Sequence, residues 1–257
     1  MLQYITWNFS PVVFDLGFWK LYWYGLMWAS CIIGGFYLLQ YVNRHEPAEN
    51  RHGTRLIEYI FFGGLIGARL GQVLFYDLGY FWHHPIEIIK VWHGGLASHG
   101  GALGILIATY IYCRNNGYSY IKTLDVLALG MPLFGALIRL GNLFNSEIVG
   151  KPTDLPWGFI FVRNGDSFAR HPSQVYEMIL LISVWLFLLW IHRSRTLAAG
   201  TITGLFFVLT FFPRFVLEFW KADADITQWL NLPLGLLGVA LLAWSFRKRA
   251  VDSAGGL

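Results

Sequence analysis

A chain of 257 residues that is 56% hydrophobic and only 13% charged, with a mean hydropathy of +0.49, is too apolar for a soluble domain whose surface must face water. Its net charge of +4 and pI near 9.1 are accounted for by short basic loops, and no basic stripe marks a nucleic-acid partner, so that class is excluded. The two cysteines, Cys31 and Cys113, fall in or at the ends of apolar runs and are read as packing residues, not as an extracellular disulfide.

A bilayer-spanning helix needs roughly 20 mainly apolar residues. Seven such runs are expected, near 19–41, 56–76, 95–113, 121–143, 173–192, 200–217 and 231–246. The fold class is therefore an all-α polytopic membrane protein of about seven transmembrane helices, forming a single membrane-embedded domain over 1–257. Residues 1–20 hold no basic residue before Lys20 and no small-residue cleavage pattern, so the first span is expected to be retained.

Orientation follows from lysine and arginine, which are enriched in short cytoplasmic loops. With the N-terminus outside, ten fall inside: Arg44, Arg51, Arg55, Arg114, Lys122, Arg193, Arg195, Arg247, Lys248 and Arg249. Six fall outside: Lys20, Lys90, Lys151, Arg163, Arg170 and Lys221. The bias favours an outer N-terminus and an inner C-terminus. Outer loops are then short except for 144–172, a candidate functional element.

Arg69, Arg139 and Arg214 are left within spans, where a charge costs at least about 2.5–3.5 kcal/mol. Counted at 1.5 Å per residue from the inner boundaries, they stand roughly 20, 24 and 21 Å up, so one layer in the outer half of the bilayer can hold all three, with His99 near it. Each arginine can simply pair with a carboxylate, and Glu218 lies at i+4 from Arg214. Three guanidiniums in one layer exceed what such pairing needs, and guanidinium suits bidentate phosphate binding. An anionic lipid head group is the natural ligand, and transport of a soluble anion would use the same charges.

Around these cations the chain carries three polar segments. His93-Gly-Gly-Leu-Ala-Ser-His-Gly-Gly-Ala-Leu-Gly104 lets backbone approach a ligand closely, or two helices approach each other, and His99 suits a proton acceptor for a weak acid such as a thiol. From Ile138 to Gly150, Arg139, Asn142, Asn145 and Glu147 offer a cation, two amides and a carboxylate at a span's outer end. Arg170-His-Pro-Ser-Gln-Val-Tyr-Glu177 starts a span, with Pro172 and Ser173 suited to a helix N-terminus. Ser173 is expected to cap it, with Gln174 and Glu177 facing inward.

Gly-Gly-Leu-Ala-Ser-His-Gly-Gly at 94–101, Arg-Leu-Gly-Asn at 139–142 with Asn145, Glu147 and Gly150, Pro-Thr-Asp-Leu-Pro-Trp-Gly at 152–158 and His-Pro-Ser-Gln-Val-Tyr-Glu at 171–177 resemble the bacterial prolipoprotein diacylglyceryl transferases. Tyr22-Trp-Tyr-Gly25, Gly67-Ala-Arg-Leu-Gly71, and Arg214-Phe215 with Glu218 extend the resemblance over nearly the whole chain. It implies an inner-membrane enzyme, its active site toward the outer leaflet. The enzyme would move diacylglyceryl from phosphatidylglycerol to the lipobox cysteine of a prolipoprotein signal peptide and release glycerol 1-phosphate. The resemblance carries over His99, Arg139, Arg214, Glu147 and Tyr24 as catalytic candidates. Arg139, Asn142, Gly150, Arg214, Arg69, Glu218, Gly100 and Gly101 are the substrate-binding candidates, with Glu218 positioning Arg214. No metal or other cofactor is required. Ile138 and Ser146 stand where the family usually has glycine, and Lys221, followed by Asp223 and Asp225, where it usually has arginine. An anion transporter or a non-catalytic anionic-lipid-binding protein is the alternative.

Overall fold

The computed structural model describes residues 4–48, 51–194, 197–222 and 227–254. Arg195, Asp223 and Asp225 lie outside the described residues. Eight α-helices are present among those described: α1 (Trp23–His45), α2 (Arg55–Phe75), a short α3 (Leu78–His83), α4 (Ser98–Asn116), α5 (Tyr120–Asn145), α6 (Ser173–Ser194), α7 (Thr201–Leu217) and α8 (Thr227–Ala254). Every expected span is a helix. Six of them, all but α3 and α4, are long and apolar enough to cross a membrane, whereas α4 is long enough at 19 residues but less apolar.

The distribution of side chains is that of a protein dissolved in lipid. Exposed positions on the helices are greasy, among them Ile32, Ile33 and Phe36 on α1, Phe62, Ile66 and Leu70 on α2, and Leu186 and Trp190 on α6. Buried positions include Thr109, Thr123, Asn142, Gln174, Glu177, Thr201, Thr203 and Ser245. Hydrocarbon offers no hydrogen bonds, so polar groups turn inward and find one another. Asp125 shows how: its carboxylate accepts from the backbone N–H of Gly200 at 2.7 Å and of Thr203 at 2.8 Å, satisfying orphan donors at the start of α7.

The chain divides into two compact units, Met1–Gly34 with Asp125–Leu257, and Gly35–Leu124. In the second unit α2 lies directly on α4 because both carry glycine every fourth residue along the shared face. A Cβ on Gly71 would stand 2.8 Å from Gly100 Cα, and one on Gly104 would stand 2.9 Å from Gly67 Cα, so no side chain fits between the two backbones.

In the first unit the sequence patterns leave four short strands unforeseen. β1 (Ile5–Trp7) pairs in parallel with β4 (Phe159–Phe161), and β2 (Val12–Asp15) with β3 (Lys20–Tyr22) in an antiparallel hairpin. β1 brings Trp7 to the end of α5, where its indole N–H donates to Leu143 O at 3.0 Å and its ring stacks on Phe159. Trp23 stacks on Phe144 at 4.6 Å. The N-terminal segment and the 144–172 connection are thereby packed around the outgoing end of α5.

Candidate active site

Three helix ends of the first unit meet through charge. Glu177, the fifth residue of α6, is 1% exposed, while Arg214 lies in the last turn of α7, where a helix favours a cation. Arg139 of α5 donates from Nε to Glu177 Oε2 at 2.9 Å, and Arg214 Nε lies 3.2 Å from that same oxygen. The other oxygen, Oε1, pairs with Lys221 Nζ at 2.7 Å. Lys221 also donates to Glu218 Oε1 at 2.7 Å, and Arg214 NH2 approaches that atom at 3.6 Å. Among the described residues, three cations thus surround two buried carboxylates, an excess of one positive charge.

Uncompensated buried charge is expensive, so a cationic cluster with a surplus is a site prepared for an anion. The guanidiniums keep capacity for one. Arg139 uses Nε on Glu177 and NH1 on Asn142 Oδ1 at 3.2 Å, while Arg214 faces Glu177 and Glu218 through ion pairs alone, its Nε making no hydrogen bond among the described residues. Among the described residues Arg139 NH2 and Arg214 NH1 have no hydrogen-bond partner, and a guanidinium suits the paired oxygens of a phosphate.

From Arg139 the polar chain continues outward. Asn142 Nδ2 donates to Glu147 Oε2 at 3.3 Å and Asn145 Nδ2 to Glu147 Oε1 at 2.8 Å, fixing the exposed Glu147 carboxylate just past the end of α5. Ser146 and Ile148, on either side of it, have φ of +58° and +57°. This is the left-handed region, which costs of order 1–3 kcal/mol for a residue other than glycine, so the glycine usual at the position of Ser146 has a conformational reason. Gly150 serves close approach instead: a Cβ there would lie 2.8 Å from Trp220 O, and its N–H donates to His171 O at 2.9 Å. Tyr24, at the start of α1, lays its ring against Gly141, where a Cβ would stand 2.7 Å from Tyr24 Cδ2. Ser173 does not cap α6; its hydroxyl donates to Ile148 O at 2.5 Å.

Next to the cluster, Trp157 donates its indole N–H to Tyr176 Oη at 2.9 Å, and Tyr176 Oη lies 3.1 Å from His171 Nδ1. With its oxygen accepting from Trp157, the tyrosine has its hydrogen free for the imidazole. Burial holds the His171 pKa below the usual value.

The remaining candidates lie in the second unit. Arg69 is 5% exposed, and all five of its N–H groups go to main-chain carbonyls: Nε to Ile88 at 2.9 Å, NH1 to Gly94 at 2.5 Å and Gly95 at 2.9 Å, and NH2 to Glu87 and Lys90. Its guanidinium also lies over Phe81. The cation expected for an anion thus gathers the loop between α3 and α4 and keeps no donor for a phosphate. Gly100 packs on α2, and Gly101 has ordinary contact with Ala68. His99, in the first turn of α4, is exposed and has no hydrogen-bonding partner among the described residues.

Sequence reasoning reached Arg139, Arg214, Glu218, Asn142 and Glu147 but gave Glu177 only an inward orientation and Lys221 only the status of a departure. The family described as prolipoprotein diacylglyceryl transferase matches residues 11–244. The chain belongs to this family. It is 43% identical to the phosphatidylglycerol–prolipoprotein diacylglyceryl transferase of Chloroherpeton thalassium over 97% of both chains. The protein of that name from Tolumonas auensis is 37% identical over 96% of this chain and 99% of its own, and that from Porphyromonas gingivalis 38% identical over 93% and 94%.

Proposed function

We propose that this protein transfers the diacylglyceryl group of phosphatidylglycerol to the cysteine thiol of a prolipoprotein lipobox. The observation that carries the reading is the pair of guanidiniums held by one buried carboxylate, each with an N–H left over. Family membership supports the substrates, and the excess positive charge beside Glu177 supports reading this cluster as the lipid phosphate's site. The thiol sulfur attacks the glycerol carbon that carries the phosphate ester, a thioether forms, and the C–O bond breaks toward phosphate, releasing glycerol 1-phosphate. Charge grows on the leaving oxygens, where Arg139 and Arg214 stabilise it most. Lys221 holds Glu218, which lies beside Arg214, and Glu177 keeps both guanidiniums in register.

The thiol proton has to leave before or during attack. His99 is the base assigned here, since an exposed imidazole with no protein partner among the described residues is free to accept it. Glu147, fixed by Asn142 and Asn145, faces the incoming substrate, and Tyr24 and Gly150 shape the ground on which it lies. Arg69 acts through the loop that leads to α4. The protein spans the cytoplasmic membrane seven times, α4 included, with its N-terminus outside and this site toward the outer leaflet, as the basic loops indicate.

Purified protein supplied with phosphatidylglycerol and a lipobox peptide should give a diacylglyceryl adduct on the cysteine by mass spectrometry, absent with Arg139→Ala and His99→Ala. Folded, lipid-replete protein that gives no adduct would return the site to anion transport or lipid binding without chemistry.

A further inference from the structure

The turn that carries Glu147 is held in a shape its own residues resist. Ser146 and Ile148 are both left-handed, and a β-branched residue is a poor occupant of that region. Yet three successive carbonyls are each taken by a different side chain from outside the turn. Asn164 Nδ2 donates to Ser146 O at 2.9 Å, Gln174 Nε2 to Glu147 O at 2.5 Å and Ser173 Oγ to Ile148 O at 2.5 Å. The next carbonyl, of Val149, accepts from Ala222 N at 3.1 Å. Ser173 and Gln174 are 2% and 1% exposed, so their donors are fixed by packing.

The turn is coupled to the cation cluster by one chain of hydrogen bonds. Glu147 Oε2 accepts from Asn142 Nδ2, and Asn142 Oδ1 accepts from Arg139 NH1. A turn that relaxed toward ordinary backbone angles would carry the Glu147 carboxylate away from Asn142 and release the amide that orients Arg139.

We propose that Asn164, Ser173 and Gln174 are positioning residues of the transfer reaction, clamping three consecutive carbonyls so that the strained 146–150 turn presents Glu147 and, through Asn142, orients Arg139. The proposal rests on the transferase function proposed for the site. It assigns the Ser-Gln step at the start of α6 to holding the site, beyond starting a helix.

The test is the adduct assay, run on wild type, Asn164→Ala, Ser173→Ala, Ser173→Thr and Gln174→Leu, with the folded fraction of each measured by size exclusion. Displacing reacting groups by about 1 Å can cost about 100-fold, so Ser173→Ala and Gln174→Leu should lose at least about tenfold in kcat. Ser173→Thr, which keeps the hydroxyl, should stay near wild type. Ser146→Gly should restore part of the rate to Gln174→Leu, because glycine adopts the left-handed angle without a Cβ penalty. A buried variant that fails to fold leaves the exposed Asn164→Ala to decide, by a loss of severalfold or more in kcat at wild-type folded yield. Wild-type kcat in the folded variants, or losses fully matched by lost folded protein and unrelieved by Ser146→Gly, would overturn the proposal. A wild-type protein that forms no adduct would overturn the transferase reading itself.

Discussion

Arg139 and Arg214, 75 residues apart in the chain, place their Nε atoms 2.9 and 3.2 Å from a single oxygen of Glu177. Neither guanidinium can move without affecting the other. Glu177→Gln keeps the shape and removes the charge, leaving Arg139, Arg214 and Lys221 with Glu218 alone to offset them among the described residues. Breaking a buried pair in this way costs about 3–5 kcal/mol. The variant should melt well below wild type in detergent and lose transfer activity, and a wild-type melting temperature would contradict the arrangement.

Arg139→Lys retains the charge but cannot reach Glu177, Asn142 and a ligand oxygen at once, since lysine lacks the planar fork. Loss of one well-placed donor to a developing oxyanion costs about 100-fold or more in rate, and the variant should show that fall. Arg139→Lys at wild-type rate would mean that charge alone suffices.

The face shared by α2 and α4 has no room for a side chain at Gly63, Gly67, Gly71, Gly100 or Gly104. Gly104→Leu must push the helices apart against a backbone carbon only 2.9 Å from where the new Cβ would sit, and overpacking costs about 1–3 kcal/mol or more. Lower folded yield and a reduced melting temperature are expected. Gly53→Ala, at a position where a Cβ meets nothing within 4 Å, should leave both unchanged.

Burial lowers the His171 pKa from the ordinary value of 6.5, so below that value the unfolded chain takes up the proton more readily than the folded protein. Stability is therefore unaffected by His171 above about pH 7.5 and falls as the pH drops through 6.5 and below. Melting temperatures of wild type and His171→Gln measured from pH 8 to 5 should show no His171-dependent slope at the alkaline end, and the acid-side decline should be shallower in the variant.

Helix positions were legible from the chain because an apolar run of spanning length is stable in a bilayer and costly to expose to water, and the cationic site was legible because arginine in a span is costly. What the sequence hid was partnership. Glu218 is visible beside Arg214 at i+4, but Glu177 lies 38 residues from Arg139, and only the packing of α5, α6 and α7 shows it as the shared anion. Arg69 shows the opposite limit. Its partners are backbone carbonyls, which carry no residue signature, so a structural clamp and a phosphate ligand look alike until the loop is placed. The three-residue strands β1 and β4 were hidden for a related reason, since their pairing joins positions more than 150 residues apart and is too short to leave a pattern of alternation.

The most direct test of the phosphate site is the rate of thioether formation on a lipobox peptide in phosphatidylglycerol vesicles, comparing wild type with the Arg139→Ala, Arg214→Ala double variant. Wild type should form one thioether for each glycerol 1-phosphate released, and the folded double variant should form neither. Thioether formation by the double variant at the wild-type rate would show that the lipid phosphate is bound elsewhere.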